Sequence, residues 1–121
     1  MLLILAGFAG LTAVALGAFG AHGLRDTLSP DAMAVYQTGV LYHLIHAVAL
    51  FGAALLARDA EMAKTANWAG LAFFFGILVF SGSLYLLALT GQKWMGAITP
   101  IGGVAFIAGW AMIAWAGWKA A

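Results

Sequence analysis

Four apolar runs, each about as long as the roughly 20 residues a helix needs to cross a bilayer, alternate along the chain with three short polar stretches. Leu2 to Ala21 contains no charge and is followed by His22-Gly23-Leu24-Arg25-Asp26. A secretory signal would open with Lys or Arg ahead of its apolar core. This run does not, so it is expected to be a retained span. Ser29-Pro30-Asp31 then supplies an N-cap, a proline suited to the first helical position, and an acid beside the positive helix end. The next helix is therefore expected to start at Pro30, in the interface, and to become apolar from Val40. Arg58 to Thr65 is the most charged stretch and predicts an exposed loop, and Trp68 predicts an interfacial anchor for the third span. After Gly91-Gln92-Lys93, Thr99-Pro100 repeats the capped, proline-started pattern, and Trp115, Trp118 and Lys119 mark the exit. The pattern predicts spans near residues 2–22, 30–57, 67–90 and 99–118. The loops at Arg58–Thr65 and Gly91–Ala97 are too short for a crossover, so each span should run antiparallel to its neighbours in sequence. The expected fold is all-α, an integral membrane bundle of four antiparallel transmembrane helices, with residues 1–121 as one domain.

Composition strengthens this reading. Hydrophobic residues make up 65% of the chain and charged residues 7%, against roughly 25% charged in soluble domains, so the chain lacks the polar surface that water would require. A net charge of +1 leaves no basic stripe for nucleic acid, and the lipid bilayer is the expected partner. Four spans place both termini on one side. Arg58, Lys64 and Lys119 lie on that side, with Arg25 and Lys93 opposite. The positive-inside rule then favours cytoplasmic termini in a bacterial inner membrane. The absence of cysteine excludes disulfides and thiolate chemistry.

Small residues recur at helical spacing: Ala9, Ala13, Gly17 and Ala21 in the first span, and Ala105, Gly109 and Gly117 in the fourth. Such ridges let backbones approach closely in lipid, and self-association through at least one of them is expected.

Candidate chemistry is confined to one depth. His43 and His46 are neighbours on one helical face, on a stripe with Tyr36, Gly39 and Leu50. At about 1.5 Å per residue they lie roughly 7 and 12 Å below an interface near Thr38, and Ser81 and Tyr85 reach similar depths from Thr90. With His22, Tyr42 and Ser83 these residues form a possible layer of interhelical hydrogen bonds, each worth about 0.6–2 kcal/mol, or a ligand site. Both histidines are expected to be neutral and bonded to Tyr or Ser on other spans. No Asp, Glu or Cys lies in any span, so zinc would lack its third and fourth ligands. Haem would need axial ligands from different helices, such as His43 or His46 with His22, or one open position, and proton-coupled export would lack an embedded carboxylate. No metal or cofactor is expected, and no enzymatic motif is present.

The segments Gly17-Ala18-Phe19-Gly20-Ala21-His22-Gly23-Leu24, Tyr36-Gln37-Thr38-Gly39-Val40-Leu41-Tyr42-His43 with His46-Ala47, Phe80-Ser81-Gly82-Ser83-Leu84-Tyr85 and Thr99-Pro100-Ile101-Gly102-Gly103 together resemble the transmembrane protein 256 family, whose bacterial members form domain of unknown function number 423. The resemblance covers nearly the whole chain and implies a small multi-span protein of the bacterial inner membrane or an organellar membrane; it implies no activity. The expected function is that of a structural or interaction subunit that self-associates or joins a larger membrane complex. The alternative is a binding or permeation module in which the His/Tyr/Ser layer takes a lipid, a quinone or a small polar solute.

Overall fold

A computed structural model describes residues 1–121 and contains four long helices. Helix α1 spans Leu2–His22, α2 Pro30–Leu56, α3 Ala63–Thr90 and α4 Thr99–Ala120. All four are long and apolar enough to cross a membrane. The start of α2 follows the cap logic: the Ser29 hydroxyl accepts the Ala32 N–H at 3.1 Å, and Pro30 takes the first turn. Thr99 behaves differently. It accepts no capping N–H from α4, and its hydroxyl turns instead to Ser83 on α3, 2.6 Å away.

The start of α3 departs from expectation, and two features go beyond it. Helix α3 begins at Ala63 and takes in Lys64 and Thr65, because the Asp59 carboxylate accepts the N–H groups of Glu61 and Met62 at 2.8 and 3.3 Å and closes the turn within a few residues. The stretch after Gly91 is mostly a 3₁₀ turn, Lys93–Ala97, that leads into α4. Gly91 itself ends α3 with φ at 71°, a left-handed conformation that glycine adopts without a side-chain clash. Within α3 one π-helical turn, Ile77–Ser81, separates Ala63–Gly76 from Gly82–Thr90. Nothing in the apolar periodicity marks that turn.

Neighbouring helices are antiparallel. Gly17 meets Val40 while Thr12 meets His43 across α1 and α2; Gly39 meets Tyr85 while Gly70 meets Leu50 across α2 and α3; Gly102 meets Phe80 while Gly109 meets Phe73 across α3 and α4. The core gathers Leu2, Leu50, Phe73, Ile77 and Phe106 among Ala6, Ala9, Ala47, Ala53 and Ala69. Lipid is as apolar as these side chains, so close packing rather than escape from water holds them together.

Both small-residue ridges are used within the chain. Ala9 and Ala13 are buried, and Gly17 faces Val40 on α2. A β-carbon on Gly109 would lie 2.5 Å from Phe73 Cε1, and Ala105 is half-buried beside it. Helices joined by short turns meet first, and their smoothest faces are spent on each other. Of the predicted ridge residues, Ala21 and Gly117 stay exposed, Gly117 with open space around it.

Candidate functional site

One stripe of α2, carrying Tyr36, Gly39, His43, His46 and Leu50, faces the bundle interior. Each polar atom it buries has a specific partner. The Tyr36 hydroxyl donates to the Leu16 carbonyl of α1, and its ring packs 5.1 Å from that of Tyr85. Gly20 leaves room for that ring, which a β-carbon there would penetrate.

His43 bridges α1 and α3. Its Nδ1 lies 3.0 Å from the Tyr85 hydroxyl and its Nε2 3.4 Å from the Thr12 hydroxyl. Thr12 Oγ1 is also 2.9 Å from the Phe8 carbonyl and 3.1 Å from that of Ala9. Its single hydrogen serves its own helix, leaving the oxygen to accept from the His43 Nε2–H. The Tyr85 hydroxyl then donates to Nδ1. His46 takes the opposite tautomer. Its Nδ1–H donates to the Tyr42 carbonyl at 2.8 Å, and its Nε2 accepts the indole N–H of Trp110 at 3.1 Å. Indole can only donate, so a proton on Nε2 would set two donors against each other. The His46 ring also stacks on Phe106, with centroids 3.5 Å apart and planes 8° from parallel.

The serines stitch other contacts. Ser81, in the π turn, donates to the Gly39 carbonyl at 2.7 Å, and Ser83 lies 2.6 Å from Thr99 Oγ1 and 2.9 Å from the Phe80 carbonyl. No buried side-chain nitrogen or oxygen lacks a partner.

Six of the eight sequence-predicted residues therefore enter the interhelical network: Tyr36, His43, His46, Ser81, Ser83 and Tyr85. The other two do not. His22 is exposed at the end of α1. Tyr42 is partly exposed, packs its ring 4.5 Å from Phe80, and contributes only its carbonyl. His46 was expected to bond Tyr or Ser and instead bonds Trp110. Three partners were missed in the sequence: Thr12, Thr99 and Trp110. Thr12 and Trp110 carried a usable signal. Thr12 is the one hydroxyl of the first span, and Trp110 is a tryptophan far from either interface. In hydrocarbon both need a hydrogen-bond partner.

The model of the family described as protein of unknown function (DUF423) matches residues 16–103. That is well over half of the chain. It belongs to the DUF423 family. A UPF0382 membrane protein of Bacillus subtilis, YwdK, is 49% identical over 111 residues, covering 92% of this chain and 90% of the relative. A UPF0382 membrane protein of Staphylococcus epidermidis is 46% identical, covering 92% and 89%. The UPF0382 inner membrane protein YgdD of Escherichia coli is 41% identical over 112 residues, covering 93% and 85%. No solved structure matches the chain. This DUF423 chain is accordingly a small multi-span membrane protein. The DUF423 match opens at Leu16, whose carbonyl takes the Tyr36 hydroxyl, and closes one residue past Gly102. It holds His43, His46, Ser81, Ser83, Tyr85 and Thr99, while Thr12 and Trp110 lie outside it.

Proposed function

We propose that the protein is a structural or interaction subunit of the bacterial inner membrane, with cytoplasmic termini, and that its polar layer locks its own helices together. One observation carries this reading: every imidazole nitrogen of His43 and His46 is engaged by another part of the same chain. A layer for a quinone or a solute would keep polar groups free to converge on the guest. This layer keeps none, so any outside contact falls to the lipid-facing surface.

That surface has a distinctive feature on α1. Gly7 and Gly10 are one turn apart, and a β-carbon on either would meet nothing within 4 Å. With Ala6, Val14, Leu44, Ala47, Val48 and Phe51 they line an open cleft of about 350 Å³ between α1 and α2. Glycine inside a helix costs about 1 kcal/mol relative to alanine, and no contact within the chain requires it at these positions. An approaching helix, from a second copy or another subunit, would.

In lipid nanodiscs the wild-type protein is expected to appear as an assembly by native mass spectrometry. Gly10→Leu should yield folded monomers, because its side chain meets open space in the isolated chain. A wild-type protein that is monomeric in nanodiscs and forms no cross-links in its native membrane would contradict the proposal.

A further inference from the structure

A second groove of about 500 Å³ lies between α2 and α4 and shares only Val48 with the α1 cleft. Ile45, Val48, Gly52 and Leu56 form one wall, and Trp110 and Ile113 the other. Along α2 it runs eleven residue steps, from Ile45 to Leu56, or about 17 Å at roughly 1.5 Å per step. That is close to one leaflet of a hydrocarbon core about 30 Å thick. Its shallow end lies at Leu56, where α2 ends, and its deep end at Ile45 and Trp110, near the bilayer middle.

We propose that this groove holds one acyl chain of a phospholipid whose phosphate rests on Arg58. The lining offers no polar recognition at depth, because the indole N–H of Trp110 is committed to His46. A quinone ring or a sterol hydroxyl would find no partner there, whereas a hydrocarbon chain needs none. The shallow end differs. Arg58 is exposed two residues beyond Leu56, and a guanidinium matches a phosphate with paired hydrogen bonds. Oδ1 of the neighbouring Asp59 accepts the amides of Glu61 and Met62.

Gly52 allows a clean test, because a β-carbon there meets nothing within 4 Å. Leucine at this position fills the groove without pressing on the core. Delipidated protein should be mixed with dioleoylphosphatidylglycerol, or with dioleoylglycerol, which has the same chains and no phosphate, and examined by native mass spectrometry. Wild type is expected to retain one phosphatidylglycerol. Gly52→Leu should weaken retention of both lipids at least tenfold, and Arg58→Gln should weaken phosphatidylglycerol to the level of dioleoylglycerol. Ala49→Phe, in the same groove, serves if Gly52→Leu lowers the thermal midpoint. Equal phosphatidylglycerol retention by wild type and the filled-groove variant overturns the proposal, as does indifference to Arg58→Gln. A filled groove that changes oligomer mass while lipid retention stays constant also overturns it, because a second copy would then be the occupant.

Discussion

Gly102→Ala is expected to leave little folded protein. A β-carbon at this position would run into the backbone nitrogen of Phe80 and lie 2.7 Å from both its Cα and its Cβ. Phe80 belongs to the π turn Ile77–Ser81, so the obstacle is main chain that cannot swing aside like the end of a side chain. Helices α3 and α4 would have to separate, which would also loosen the Ser83–Thr99 contact and the packing of Phe106 against Gly76. Overpacking typically costs 1–3 kcal/mol, and an unyielding backbone puts this case at about 3 kcal/mol or more. The thermal midpoint and the monodisperse fraction in mild detergent measure it. Gly117→Ala is the control: nothing lies within 4 Å of the new carbon, so helix propensity should make it neutral or stabilising by up to about 1 kcal/mol. A Gly102→Ala protein that melts with wild type would show that the α3–α4 crossing is looser than described.

His46→Ala is expected to have the second largest effect, a loss of about 2–4 kcal/mol. It removes a ring that stacks on Phe106 and packs 5.7 Å from Phe73, and it leaves the Trp110 N–H without an acceptor in hydrocarbon. Trp110→Phe removes the donor and keeps most of the ring volume, so it should cost about 0.6–2 kcal/mol, the range for a single hydrogen bond between helices in lipid. Because both changes break the same bond, the double variant should lose less than the sum of the two. Strict additivity would mean that the His46–Trp110 contact contributes nothing.

Element existence was legible in the sequence because each span is a long apolar run between interfacial charges, and Ser29-Pro30-Asp31 marks a helix start whose chemistry is purely local. Boundaries at the third span were less legible. Lys64 and Thr65 look like loop residues until the Asp59 capping turn places them in the first turns of a helix. The π turn left no trace in the pattern; it lies where Gly102 of α4 closes on the Phe80 backbone, two residues far apart in sequence. The polar stripe of α2 was legible from the spacing of Tyr36, His43 and His46, and Tyr85 from its depth. His22 and Tyr42 were misplaced for a common reason. Depth along a helix says how far in a residue sits and says nothing about the direction it faces. Thr12 and Trp110 are each isolated in their spans, and their role appears only when α1 and α4 bring them to the two histidines. Most of the small-residue positions pack against other helices of the same chain, and sequence spacing does not distinguish a partner in the same chain from one in another.

The central claim is that His43 and His46 are an internal lock whose four ring nitrogens are all taken. Solid-state nitrogen NMR of imidazole-labelled protein in lipid bilayers at pH 7 tests it most directly. The account predicts two neutral rings of opposite tautomer, Nε2–H at His43 and Nδ1–H at His46, with a cross-peak from the Trp110 indole proton to His46 Nε2 and no exchange with bulk water. Charged rings, or ring nitrogens that exchange with water and lack the indole contact, would show that the layer is open to a guest and would contradict it.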